Sequence, residues 1–135
     1  MKVRETLSLR VGRLGELIVE PGRYLYVGSA YGSGGIAARV ARHLRPGRRR
    51  LHWHIDYLNA ATGVERVWAV PHGNECEVLS MLLDNQEISV PFVGFGSSDC
   101  GRCAAHLILA SDGLSPVDVL GDETEVLQVM GGAEI

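Results

Sequence analysis

The order of the periodic segments in its first third most constrains the fold of this 135-residue chain. "LSLRVG" (7–12) alternates apolar and polar residues, and "ELIVE" (16–20) follows it after a short turn. "PGRYLYVGSA" (21–30) predicts a third strand, with Tyr24 and Tyr26 on one face, which leads into a glycine-rich loop and a helix over 36–44. Strands joined by such short turns are antiparallel. This part of the chain therefore predicts an antiparallel sheet with a helix packed on it.

The rest of the chain continues the same alternation. It predicts a helix starting near His54, a strand over 64–70, a helix over 75–85 capped by Asn74, a loop over 90–103, a closing strand over 104–110, and at most one short helix near 122–130. The expected fold class is α+β, a small and mainly antiparallel β-sheet flanked by helices. We expect one domain over 1–111 and an acidic C-terminal tail over 112–135.

Composition argues against a membrane protein and shows that the positive charge is concentrated in the first half of the chain. No apolar run reaches the roughly 18 residues of a membrane span, and the N-terminus lacks a signal peptide's apolar stretch, so a cytoplasmic location is expected. Residues 1–67 hold twelve of the thirteen basic residues but only five of the sixteen acidic ones. Six arginines lie between the glycine-rich loop and His52: Arg39, Arg42, Arg45, Arg48, Arg49 and Arg50. A polyanion-binding face and a solvated helix end both explain this cluster.

The glycine-rich loop is typical of two devices, a cradle for nucleotide phosphates and the entrance to a nuclease active site. A cradle requires a βαβ unit with spaced glycines, followed by an acidic residue about 20 positions on or by Gly-Lys-Ser/Thr. Here no lysine follows Gly35, and two antiparallel strands precede the loop. The context therefore argues against a nucleotide cradle.

The helix after the loop places an arginine beside a histidine. Ile36, Val40 and Leu44 form its apolar stripe, Arg39 and His43 share a face at the border of that stripe, and Arg42 and Arg45 point toward solvent. A guanidinium offers a planar fork to phosphate oxygens, and an imidazole or a phenol relays a proton from an attacking water. These are the groups that phosphodiester hydrolysis requires, although a surface position would also explain them.

Four segments together resemble a known family. The chain has "GRYLYVGSAYGSGGIAARVARHL" (22–44), "LHWHIDYL" (51–58), "NECEVL" (74–79) and "GFGSSDCGRCAAHL" (94–107). Over residues 7–108 it resembles the GIY-YIG endonuclease superfamily, and more closely its Uri-type branch of small, mostly prokaryotic proteins, a form also found fused to endonuclease III. The resemblance implies a small antiparallel sheet flanked by helices and hydrolysis of a nucleic-acid phosphodiester with one divalent metal, Mg²⁺ or Mn²⁺.

The resemblance also implies roles for individual residues. Tyr26, in "YVG", matches a base or water-orienting residue, Arg39 matches an arginine that contacts the scissile phosphate, and His43 matches a histidine that assists proton transfer. The metal ligand of the superfamily is a glutamate on a later helix. Glu75 shares a helix face with Leu79 and Leu82, whereas Glu77 lies on a more polar face, so Glu75 is the predicted Mg²⁺ ligand.

Two histidines have an open function, and four arginines have a predicted binding role. His52 and His54 flank Trp53, and either a catalytic role, with His52 ahead of His54, or a structural one is consistent with the pattern. Arg42, Arg45, Arg49 and Arg50 are predicted to bind nucleic acid rather than to take part in the chemistry.

The three cysteines and one histidine have the spacing of a zinc site. Cys100-x2-Cys103-x2-His106 supplies three ligands, and Cys76 is a candidate for the fourth. Buried free thiols explain the same pattern, whereas a disulfide is not expected in a cytosolic chain.

The resemblance is incomplete at its first signature, a Gly-x-Tyr on the strand beside the one that carries Tyr26. Gly22-Arg23-Tyr24 lies on the same strand as Tyr26, and only Met1–Thr6 precede the segment over 7–22 that relatives place after the signature strand. We therefore expect the monomer to be weakly active or inactive. We also expect Ser8–Gly12 to lie near an edge that is unpaired or paired with a second chain, which would make an edge-strand dimer.

The leading hypothesis is a metal-dependent endonuclease acting in DNA repair, with DNA favoured over RNA as the substrate and no membrane partner. The alternatives are a catalytically impaired nucleic-acid-binding module of the same fold and a small zinc-stabilised interaction domain.

Overall fold

The computed structural model describes residues 1–28, 35–44, 51, 53–71, 73–96, 103–120 and 126–131, with the backbone alone over 127–131. The strands are β1 (Lys2–Val3), β2 (Leu7–Val11), β3 (Gly15–Val19), β4 (Gly22–Tyr26), β5 (Arg66–Ala69), β6 (Ile88–Ser89), β7 (Leu107–Ala110) and β8 (Leu127–Gly131). The helices are α1 (Gly35–Leu44), α2 (His54–Thr62), α3 (Glu75–Leu83) and α4 (Pro116–Leu120). The predicted α+β class with a mainly antiparallel sheet is confirmed. None of the described helices has the length and apolar character needed to cross a membrane.

The central sheet has four strands in the order β1-β4-β7-β6. β4 pairs antiparallel with β7, so that Arg23 lies opposite Ala110 and Tyr26 opposite Leu107. The strand predicted over 104–110 is therefore internal to the sheet and does not close it. β6, which was not predicted, pairs with the other edge of β7 through Ile88 and Ser89.

The first six residues contribute a strand to the central sheet. β1 pairs with β4 at Gly22 and Arg23, and the backbones of Met1 and Tyr24 exchange two further hydrogen bonds. After Tyr24, the edge of β4 that faces β1 has no partner strand among the described residues.

β2 and β3 form a separate two-stranded hairpin. They pair along their whole length, from Leu7 opposite Val19 to Val11 opposite Gly15. Within the described part of the chain β2 pairs with β3 alone, so its other edge is unpaired, as expected for Ser8–Gly12.

Two apolar cores pack against β4 and β7. Tyr24 belongs to the first core and Tyr26 packs against it, together with Leu58 of α2 and Phe95. Leu25 and Val27 instead pack against the second core, whose buried residues come from β6, β7, α3 and α4: Leu79, Leu82, Ile88, Ile108, Ala110 and Leu120. Because successive strand residues point to opposite faces, Tyr24 and Tyr26 share one face, as predicted.

The residues beyond 111 add structure to this fold that the sequence did not predict. α4 packs against α3, and Leu120 is buried in the second core. The sequence allowed at most one short helix near 122–130, whereas residues 127–131 form β8, which pairs antiparallel with β5. A strand that satisfies its backbone groups on β5 is favoured over a short isolated helix.

The exposure of two side chains on α1 also differs from the prediction. Leu44 was expected in the apolar stripe but is 37% exposed, whereas Arg42 was expected in solvent but is half-buried. Leu44 is the last residue of α1.

The burial of α4 makes a prediction about the C-terminal segment. Leu120→Ala should lower the free energy of unfolding by about 2–4 kcal/mol, because it leaves a cavity in the second core. Val117→Ala, in the same helix at a position that is 46% exposed, should cost less than about 1 kcal/mol. Urea denaturation of both variants measures the difference, and equal small losses would show that α4 is not packed on the domain.

Candidate active site

One cavity at the edge of β4 brings together the residues predicted to act in catalysis. It has a volume of about 430 Å³ and lies between β4, α1, α2, β5 and α3. Tyr26, Arg39, His43 and Glu75 all line it, although they come from three elements far apart in the sequence. Much of the remaining wall is apolar and includes Trp68 of β5.

Arg39, His43 and Tyr26 lie together on the cavity wall. The Arg39 Nε donates to His43 Nε2 at 3.2 Å, which fixes a lone pair on that imidazole nitrogen. The Tyr26 and His43 rings meet edge to face with centroids 6.2 Å apart, and the Arg39 charge acts to lower the pKa of the Tyr26 hydroxyl. The spacing of four residues on α1 allows the bond between Arg39 and His43, because such residues lie on one helix face.

Two neighbours hold this group in place. The Asn59 Nδ2 on α2 donates to the His43 carbonyl at 2.6 Å, so it fixes the last turn of α1. A Cβ added at Gly28 would lie 3.1 Å from Tyr26 Cε2 and 3.7 Å from Arg39 Nη2. Glycine therefore allows the close approach of Tyr26 and Arg39 beside the backbone.

Gly96 supports the other side of the Tyr26 ring, and sequence reasoning did not single it out. It has a φ of 75°, and a Cβ there would lie 2.9 Å from Tyr26 Cε1 and 3.3 Å from His106 Cβ. Its amide donates to His54 Nδ1 at 2.8 Å, and the His54 ring packs edge to face on Phe95. His54 thus helps to hold the segment that carries Gly96.

Glu75 reaches the cavity because of how α3 begins. Asn74 caps the helix, as predicted, and its Oδ1 accepts from the amides of Cys76 at 3.0 Å and Glu77 at 3.2 Å. The Glu75 side chain is 28% exposed and its Oε2 lies 4.0 Å from Nδ1 of the buried His106. Glu77 is exposed. Glu75 is therefore the carboxylate on this helix that lines the cavity.

The cavity keeps the Tyr26 phenol protonated. Burial raises the pKa of Tyr26 above its ordinary value of 10.0, and the charges of Glu75 and Asp56 add to the rise. The positive charge of Arg39 acts in the opposite direction without overcoming burial. Tyr26 is thus a neutral hydrogen-bonding group at physiological pH, held beside a fixed cation.

Arg42 does not extend into solvent as predicted. Its Nη2 lies 3.6 Å from Oδ2 of Asp56, a carboxylate buried in the first turn of α2. The same oxygen accepts a hydrogen bond from the Trp53 amide at 2.8 Å, and this bond caps the N-terminus of α2. A buried carboxylate requires a nearby cation, so the Asp56 pairing draws Arg42 inward. Arg42 joins α1 to α2 through this pair.

A second group of side chains, all able to ligate a metal, lies next to Glu75. Cys76, Cys103 and His106 offer ligand atoms that all lie within 4.8 Å of one another, so this cluster could hold a metal ion.

Five of the predicted site residues lie outside the described residues: His52, Arg45, Arg49, Arg50 and Cys100.

The raised pKa of Tyr26 predicts its alkaline titration. In an ultraviolet titration of the native protein, part of the tyrosinate absorbance change should come at a higher pH than that of free tyrosine, and Tyr26→Phe should remove a share of that delayed part. The native state holds this proton more tightly than the unfolded chain, so the resulting stability is present below about pH 10 and lost as pH rises through the native pKa. In denaturant the delay should vanish; an unchanged delayed part in Tyr26→Phe would contradict the assignment.

Comparison with known proteins identifies the family but gives no function. A search of curated proteins and a search of solved structures gave no match. The family model described as "Domain of unknown function DUF123" matches residues 1–128, nearly the whole chain. The chain belongs to the DUF123 family.

Proposed function

We propose that this protein is a metal-dependent endonuclease that hydrolyses nucleic-acid phosphodiester bonds, of the GIY-YIG superfamily and its Uri-type branch. One observation carries the proposal: a phenol, a guanidinium, an imidazole and a carboxylate from three separate elements line a single cavity. The DUF123 match is consistent with any activity, so the support comes from the chemistry of these four side chains and from the motif resemblance.

Arg39 is the group proposed to bind the scissile phosphate. A guanidinium has five N–H donors, and its bond to His43 uses one of them. This bond also restrains the orientation of the guanidinium plane before the substrate arrives. A preoriented cation of this kind stabilises the charge that develops on phosphate oxygens in the transition state.

The apolar part of the cavity wall strengthens this proposed interaction. Where water is excluded, the effective dielectric falls and the attraction between Arg39 and an entering anion rises. An arginine preoriented in such a cavity distinguishes a phosphate from water more sharply than an arginine on an open surface.

Tyr26 and His43 are proposed to handle the water and its proton. The neutral Tyr26 hydroxyl can hold a water by hydrogen bonding at the cavity wall, and Arg39 stabilises negative charge that develops there. His43 contacts both residues and carries a nitrogen lone pair that accepts a hydrogen bond. Because this lone pair already accepts from Arg39, His43 is proposed to take the proton of the attacking water only when the Arg39 bond to it is released.

Glu75 is the residue proposed to hold a divalent cation, Mg²⁺ or Mn²⁺. Its fit rests on the position of one half-buried carboxylate on the wall of the cavity that Arg39 lines. A single carboxylate with waters and substrate phosphate oxygens is a common way to bind Mg²⁺. When bound, such an ion supplies Lewis-acid polarisation of the phosphate.

The proposed substrate is DNA rather than RNA, in a repair context, with binding by the arginines that follow α1. Since Arg42 pairs with Asp56, we assign the phosphate-binding role to Arg45, Arg49 and Arg50 and give Arg42 a structural one. The cytoplasmic location stays a prediction from the sequence.

The central test compares two glutamates on α3. Wild type, Glu75→Ala and Glu77→Ala should be assayed with excess protein on single-stranded, branched and duplex DNA and on RNA, with Mg²⁺ or Mn²⁺. Initial rates are compared between variants over long incubations. Glu75→Ala should lower the rate by about 100-fold or more, because it removes the proposed metal ligand. The exposed Glu77 should be replaceable without loss.

A readout independent of turnover accompanies this assay. Mn²⁺ binding to each variant is measured by electron paramagnetic resonance, and Glu75→Ala should bind less Mn²⁺ than Glu77→Ala. Equal rates and equal Mn²⁺ binding in the two variants would rule out the assigned ligand. Tight DNA binding without cleavage by wild type in either metal would favour the impaired binding module instead.

Arg49 and Arg50 should contribute to DNA affinity without taking part in catalysis. Replacing Arg49 and Arg50 by Gln should weaken DNA binding and flatten the dependence of log K on log salt by about 0.9 for each duplex phosphate that the variant no longer neutralises. Fluorescence anisotropy at several salt concentrations measures the slope. Cleavage of saturating substrate should stay at the wild-type rate, so abolished cleavage at saturation would show that these arginines belong to the catalytic group.

A further inference from the structure

Three metal-ligating side chains meet at the junction of α3 with the segment that leads into β7. Cys76 is the second residue of α3, and Cys103 lies 27 positions later along the chain. Their sulfur atoms are 2.6 Å apart, and a ring nitrogen of His106 lies within 4.8 Å of both. Two thiolates bound to one tetrahedral metal ion lie roughly 3.7 Å apart, so binding an ion here requires the two sulfur atoms to separate by about 1 Å. The cluster is thus assembled by the tertiary fold and not by local sequence spacing alone.

His106 gives the second observation that points to a ligand. The residue is 4% exposed, and its Nε2 is buried with no hydrogen-bond partner among the described residues. An imidazole nitrogen left without a partner in the interior costs free energy, and a bound ion or water is one arrangement that removes this cost. A metal ion bound at this nitrogen would satisfy it.

The backbone around His106 holds the ring in a fixed position. Its amide donates to the Phe95 carbonyl at 2.8 Å, and its carbonyl accepts from the Val27 amide at 3.0 Å. On the other side of the ring, Nδ1 lies 4.0 Å from the Glu75 carboxylate. Metal-bound histidines commonly direct their second nitrogen toward a carboxylate, and Glu75 occupies that place here.

We propose that Cys76, Cys103 and His106 bind one Zn²⁺ ion, which fixes the first turn of α3 to the start of β7. Two thiolates and an imidazole form a donor set that favours Zn²⁺ over Mg²⁺ or Ca²⁺, and three protein ligands leave one tetrahedral position for a further donor. A disulfide between the cysteines would leave the orphaned His106 nitrogen without explanation. The site does not depend on nuclease activity.

The position of the ion gives it a structural role. Glu75 directly precedes Cys76, so an ion that holds Cys76 also holds the helix end from which the Glu75 carboxylate enters the cavity. Glu75 is a cavity residue, whereas Cys76, Cys103 and His106 are positioning residues that act through it.

The test measures metal content in the full chain purified under reducing conditions from zinc-supplemented cultures. Plasma mass spectrometry should give about one zinc per chain in wild type and less than about a tenth of that in Cys103→Ser and His106→Ala. His43→Ala, a histidine outside the cluster, should retain wild-type zinc. Zinc retained by the two ligand variants would overturn the assignment.

Two measurements on the wild-type chain keep the proposal testable even where a variant fails to fold. Replacing the metal by Co²⁺ should produce the near-ultraviolet absorption of cobalt–thiolate charge transfer and the visible bands of tetrahedral Co²⁺. Intact mass should show both cysteines carrying their hydrogens once the metal is removed. A chain without zinc and without a cobalt spectrum, or one whose mass shows a disulfide, contradicts the proposal, and neither outcome depends on DNA cleavage.

Discussion

The pairing of β4 with β7 is the interaction on which the rest of the structure depends. Its register sets Tyr26 opposite Leu107, and the next amide, that of Val27, bonds the His106 carbonyl. One ladder therefore fixes the tyrosine of the cavity and the histidine of the metal cluster side by side. Since a slip of one residue would turn every side chain to the other face, the two cores on either side of β4 and β7 hold this register.

The parts of the site that follow from local periodicity could be predicted, and the parts that follow from tertiary contacts could not. The spacing of Arg39 and His43 on α1 and the cap by Asn74 are properties of single helices, so the sequence contained them. The inward pull on Arg42 arises from Asp56 on another helix, and no pattern within α1 reveals that partner.

Gly96 and the C-terminal segment illustrate a second limit. The need for glycine at 96 comes from a left-handed backbone and the Tyr26 ring, both of which are set by the fold. The acidic composition after residue 111 suggested a tail, but a few apolar residues such as Leu120 are enough to dock α4 when a core is there to receive them. Composition describes the average of a segment, whereas packing depends on the few side chains that point inward.

Glu75 lies between the two groups of functional side chains, and this position has a physical consequence. Its carboxylate lines the cavity and also lies 4.0 Å from the His106 ring. At this distance the carboxylate and the ring are in electrostatic contact and are not hydrogen-bonded. The proposed cavity cation and the proposed Zn²⁺ site would share this side chain only if each engaged a different oxygen. The contact to His106 involves Oε2. If Oε1 serves the cavity, one helix-terminal glutamate can orient the imidazole of one site and ligate the cation of the other, and the order of the first two residues of α3, Glu75 then Cys76, is what makes both possible.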